Sequence, residues 1–186
     1  TLALQASGPL SRIELNARAE QGISGQASAT LTPFAAQPFA KAHVELDNMD
    51  PAVWLAGAPR ADLALNLDLQ PDAKELLGEF LLTNRLPGSL DRQRLPLETL
   101  SGTLSSQGET LRVGKLRALL SGGGTLSGNA LWEKSQLTLD LQANGLDAAK
   151  LVSSLRPTRL SGPLLATIRA EKQSLASLKE YLGTTA

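Results

Sequence analysis

The chain has no cysteine, a single histidine and only three Phe, two Trp and one Tyr among 186 residues. Each shortage removes a class of answers. Without cysteine there is neither a disulfide framework nor a thiolate metal site, although compartment stays open. With His43 alone, a His-cluster metal site is excluded and a Ser-His-Asp device has one possible base. No G-x-S-x-G elbow accompanies it. Aromatic residues make up 3% of the chain and the apolar fraction is 42%. That fraction is mostly Leu and Ala, whereas sandwiches and barrels usually fill their centres with larger rings. Eighteen Lys and Arg balance eighteen Asp and Glu. No basic run stands out, so the sequence carries no electrostatic footprint for nucleic acid or an anionic membrane. No apolar run reaches the roughly 18 residues that span a bilayer. The opening "TLALQASGPL" has neither the charged start nor the apolar centre of a signal peptide. It begins inside an expected strand, so the chain reads as a piece of a longer protein.

What is present is period two. Leu63, Leu65, Leu67 and Leu69 alternate with Ala64, Asn66, Asp68 and Gln70. Leu137, Leu139 and Leu141 alternate with Thr138, Asp140 and Gln142, and Ile13, Leu15 and Ala17 with Glu14, Asn16 and Arg18. Alternation places the two sets on opposite faces of a strand. Weaker versions around Val44, Phe80, Leu111 and Ile168 bring the expectation to about ten strands separated by Gly, Pro, Ser and Asn. Helical spacing is scarce. Asp50 with Pro51 opens "DPAVWLAG", a helix of two turns at most, and Asp147 caps "DAAKLVSSLR", with Leu151, Val152 and Leu155 on one face and Pro157 ending it. "SLASLKEYL" spaces Leu175, Leu178 and Leu182 as a third short helix. The fold class is therefore mostly β: an elongated, curled, antiparallel or mixed sheet with two or three short helices.

The pieces recur. "ISGQA" at Ile23 resembles "LSGNA" at Leu126, and each precedes an alternating strand, an Asp-capped helix and another strand. One elongated domain over 1–186 with approximate repeats 22–70 and 123–171 follows. The triple glycine Gly122–Gly124 lacks the Lys of a Walker loop and the spacing of a dinucleotide fingerprint, so a turn, bulge or bend is expected there. His43 sits at a polar strand position and reads as a solvated residue. Asp47 and Asp50 lack the further ligands of a calcium loop. The remaining carboxylates fall on polar faces, and nothing points to a catalytic set or a metal.

The aliphatic stripe carries the functional reading. Leaving a Leu in water forfeits roughly 1.5 to 3 kcal/mol relative to burying it, and about ten half-apolar strands exceed what two or three short helices can cover. Either the sheet closes on itself as a packed sandwich, a structural spacer or adhesin, or it forms a trough occupied by an apolar ligand. In the trough the lining is Ile13, Leu15, Val44, Leu46, Leu63, Leu65, Leu67, Leu111, Val113, Leu137, Leu139, Leu141 and Ile168. The ligand is then an acyl chain, or an unfolded amphipathic strand, bound by apolar area with little head-group selectivity.

Residues 85–164 add a resemblance. "PGSLDRQRLPLETLSG", the strand Gly124–Gly128 with its G-x-L-S-G spacing, and "LDAAKLVSSLRPTRLSG" from Leu146 to Gly162 look like the repeats of the TamB family, within the wider AsmA-like group. The likeness covers most of residues 40–182. It implies a periplasmic segment of a long inner-membrane-anchored protein of a Gram-negative bacterium, whose sheet curls into a taco-like trough. It further implies phospholipid movement between the membranes and support of outer-membrane protein and autotransporter assembly. A TamA-like outer-membrane partner belongs to the full-length chain, not necessarily to this piece. No cofactor and no enzymatic activity are implied.

Overall fold

The computed structural model describes residues 2–169, except 22, 36–37 and 73–74. The alternating segments form eleven strands: β1 (Leu2–Ser7), β2 (Ile13–Gln21), β3 (Ile23–Leu31), β4 (Phe39–Met49), β5 (Leu63–Asp72), β6 (Glu75–Asn84), β7 (Leu97–Gln107), β8 (Thr110–Leu120), β9 (Thr125–Glu133), β10 (Gln136–Leu146) and β11 (Leu160–Arg169). They make one sheet in the order β1 to β11, each strand antiparallel to its neighbours in sequence. β1 and β11 do not pair, so the sheet is open and not a barrel. The choice between antiparallel and mixed resolves to antiparallel because every connection returns directly to the adjacent edge.

The two ends of the strands differ. One rim carries short hairpins at 108–109 and 134–135, where Lys134 and Ser135 both take positive φ (49° and 65°), as a type I′ turn requires. The other rim carries the long loops 50–62, 85–96 and 147–159. Two of these hold helices of one turn, α1 (Pro51–Trp54) and α2 (Ala148–Leu151), and the third a single 3-10 turn at Leu90–Arg92. α2 stops at Leu151 and does not run to Pro157, because Val152 is already extended. Asp147 explains the early stop: its Oδ1 accepts from Ala149 N and from Thr158 N, both at 3.0 Å, pinning the return of the chain beside the helix start. Asp50 does the same with Ala52 N at 3.1 Å and Ala61 N at 3.2 Å. The third expected helix, with Leu175, Leu178 and Leu182, lies outside the described residues.

The triple glycine forms the turn between β8 and β9. Gly122 and Gly123 have φ of 92° and 83°, and Leu120 N donates to Gly124 O at 2.8 Å. The space beside Gly122 is filled by the aliphatic stem of Lys150, whose Cγ would lie 2.5 Å from an added Cβ. Gly128 serves a different need, since a Cβ there would stand 2.1 Å from Asp140 O on the neighbouring strand.

Side chains of directly paired residues share a face, so register sorts the sheet. One row runs Leu15, Ala29, Ala42, Leu69, Gly78, Leu104, Val113, Ala130, Leu139, Ala166, from β2 to β11. Another runs Leu4, Ala17, Ala27, Val44, Leu67, Phe80, Gly102. This face is apolar from edge to edge. Little covers it: among the described residues seven apolar side chains are buried and none falls below 2% exposure. The one small core, Met49, Ala61 and Leu63 with Leu46, Leu65, Leu82 and Leu95 against it, lies where the loops 50–62 and 85–96 fold over the end of β4–β6. A sandwich packed through its centre would bury whole rows of leucine, and of the leucines on this face only Leu63 and Leu141 are buried among the described residues.

Candidate functional site

All thirteen residues of the expected lining lie on the apolar face. Leu137, Leu139 and Leu141 of β10 pair with Ile168, Ala166 and Leu164 of β11. Leu111 and Val113 of β8 pair with Trp132 and Ala130, which lead to Leu137 and Leu139. Leu65 and Leu67 of β5 pair with Leu46 and Val44 of β4 and with Leu82 and Phe80 of β6. Leu63 pairs with Met49; Ile13 and Leu15 pair with Leu31 and Ala29. Toward the edges this face is open to water: Leu4 on β1 is 73% exposed and Ile168 on β11 is 53% exposed. The expected lining left out Leu82, whose alternation with Phe80 is visible, and sequence alternation missed Leu100, Leu104, Leu116 and Leu126; all five belong to the same face. The strands of the last four carry serine, threonine and glycine among the leucines, which blurs the period.

Two half-open depressions lie elsewhere. A cavity of about 860 Å³ opens on the opposite, polar face at the hairpin rim, lined by residues of β2 to β8. A second, of about 480 Å³, continues it over β1 to β4. None of the thirteen lining residues contributes to either, although Ala29, Ala42, Leu69, Gly78 and Leu104 of the apolar rows border the first and Leu4, Ala17 and Ala27 the second.

His43 stands in that concavity. Its Nδ1 meets Asp68 Oδ1 at 2.8 Å across the β4–β5 pair, and its Nε2 meets Glu45 Oε1 at 3.3 Å. The Asp68 hydrogen bond, then that of Glu45, raises the imidazole pKa above its usual 6.5. Glu45 is held below its ordinary value by Gln26 first and His43 second. Nearby, Thr30 is buried at 3% exposure and donates to Glu14 Oε2 at 3.0 Å. Glu14 is lowered chiefly by its bond to Arg12 and then by Thr30. Glu14 and Glu45 are thus engaged with neighbours that stabilise their charged form. No hydroxyl is hydrogen-bonded to either ring nitrogen of His43 among the described residues. No group of three or more His, Asp or Glu is placed there to hold a metal ion, and no described helix is long and apolar enough to cross a membrane. What the arrangement offers chemically is one uncovered hydrocarbon surface backed by a hydrogen-bonded polar one. No family model, curated protein or solved structure matches the chain.

Proposed function

We propose that this chain is a segment of a periplasmic, TamB-like lipid conduit, and that phospholipid acyl chains lie along its apolar face on their way between the inner and outer membranes. One observation carries the reading: eleven strands of one sheet present a single apolar face, with no second layer over it among the described residues. Area alone supplies affinity on such a surface, at about 25 cal/mol per Å² of apolar contact, so a chain can slide from row to row without a specific site. Passage needs no reacting group. In the whole protein the same surface supports outer-membrane protein and autotransporter assembly, with a TamA-like partner engaged by other parts of the polypeptide.

The structural-spacer reading requires the interior to be filled by the chain's own side chains, and the exposure of the apolar face argues against it. The test is chemical. Mass spectrometry of the protein purified without detergent is expected to find retained phospholipid. Leu65→Asp and Leu139→Asp, which strand a carboxylate among hydrocarbon, are expected to lose at least about tenfold of it, since an unpaired charge there costs more than the about 1.4 kcal/mol that corresponds to tenfold in affinity. Two folded variants that retain as much lipid as the parent refute the assignment.

A further inference from the structure

The long-loop rim holds a surface that neither the apolar face nor the polar concavity uses. Thirteen large apolar side chains stand exposed among the described residues, and six of them, Val53, Leu55, Leu86, Leu90, Leu155 and Leu160, are on this rim. Interleaved with them are Arg92, Arg94, Lys150, Arg156 and Arg159, all exposed. None of these five has an ion-pair partner among the described residues.

The acids of the same stretch are mostly engaged. Asp47 and Asp62 lie against Arg85 and Asp50 against Arg60, Asp91 accepts from Ser153 N at 2.9 Å and from Ser153 Oγ, and Asp147 caps α2 and the return of the chain; Glu98 stands at the start of β7. The Asp91–Ser153 contact joins positions 62 residues apart, tying the loop that carries Arg92 and Arg94 to the loop that carries Lys150 and Arg156. Lys150 is steadied over Gly122, and the stem of Arg94 lies over Gly88, with Cδ 2.7 Å from where a Cβ would sit. Five cations scattered through the sequence thereby become one leucine-studded basic edge.

We propose that this rim docks on an anionic phospholipid surface, with the cations on head-group phosphates and the leucines in the acyl boundary. Charge and apolar contact act together at such an interface. A polyanion without hydrocarbon would satisfy the cations and leave the leucines in water. The rim also borders the end of the apolar face through Ala61 and Leu95, so a docked rim becomes a place where lipid is loaded or released; that further step rests on the proposed function.

Co-sedimentation with vesicles decides it. The protein is expected to bind phosphatidylcholine vesicles doped with phosphatidylglycerol at least about tenfold more tightly than pure phosphatidylcholine, with the preference fading as the Debye length falls below about 8 Å. Combining Arg92→Glu, Arg156→Glu and Arg159→Glu is expected to cost at least about a hundredfold, at about fivefold per charge near a membrane, with an unchanged melting temperature. Leu90→Ser with Leu155→Ser is expected to weaken binding to the doped vesicles as well. Equal binding to both vesicle types, or undiminished binding by the folded arginine variant, overturns the proposal. So does undiminished binding by the leucine pair, which would mark a site for any polyanion. Leu139→Asp separates the two readings: it is expected to lose retained lipid and keep vesicle docking. If folded Leu139→Asp no longer docks, the apolar face is the membrane contact and the rim is not. Docking by a parent protein that retains no lipid supports the rim and sinks the conduit alone.

Discussion

His43 shows how a strand position acquires chemistry from register. Alternation puts it on the polar face, but Asp68 stands beside it only because β4 and β5 pair His43 with Asp68. Both ring nitrogens then face carboxylates, and the folded pKa lies above the unfolded one, 6.5. A raised imidazole pKa means that the folded state binds its proton more tightly. The resulting stabilisation is complete below about pH 6.5, the unfolded value, and is lost as pH rises through the higher folded value. The urea midpoint of the wild-type protein is therefore expected to decline across that window relative to His43→Gln. The two curves should run parallel at higher pH. A difference that grows with rising pH would contradict the assigned partners. Asp91 works in the opposite sense: Ser153 holds its pKa down at about 2 from 3.8, so its contribution persists above the unfolded value and disappears as pH falls toward the folded one.

At the scale of elements, the two Asp-capped loops are one device used twice. Each has a left-handed residue two positions before the cap, Asn48 with φ 57° and Gly145 with φ 64°. Each follows a register shift, between Leu46 and Met49 or between Ala143 and Leu146. One carboxylate oxygen then satisfies both the helix start and the returning strand. Asp50→Ala and Asp147→Ala are each expected to destabilise the protein by about 1–2 kcal/mol, the upper half of the range for an N-cap, because two N–H groups lose their acceptor. Asn at either position should recover most of this, since its Oδ1 accepts the same bonds; equilibrium unfolding of the four variants measures it. The caps were legible in the sequence because Asp-Pro and Asp-Ala-Ala announce a helix start. Helix length was less so, since the tie from Asp147 to Thr158 spans eleven residues. Strands with strict alternation, such as Leu63–Gln70, read directly, because one wet face and one apolar face select opposite residue types. β7, "LETLSGTLSSQ", did not, as serine and threonine suit either face. The rim cations were the least legible: five single residues in two loops make no run, and only the Asp91–Ser153 contact brings them together.

For the whole molecule the open sheet has a second consequence besides its uncovered face. Among the described residues β1 and β11 each have one side of the ladder unpaired, and such edges pair with whatever strand they meet unless something blunts them. Pro163 removes one donor from β11, and Arg169 closes it, yet Leu164, Leu165 and Ile168 stand exposed between them. Leu165 is the most telling of these. It pairs with Asp140, so it lies on the polar face, 77% exposed, where hydrocarbon held on the other face cannot shelter it. The purified chain is therefore expected to associate through β11 as concentration rises, by antiparallel pairing of two such edges about a two-fold axis that keeps both apolar faces on one side. Leu165→Lys puts a charge opposite its own copy at that seam and is expected to shift sedimentation velocity profiles to monomer. The lipid retained per chain should stay unchanged, because the apolar face is untouched. A variant that still associates like the parent would place the contact on the apolar face itself, with two sheets covering one another in place of lipid.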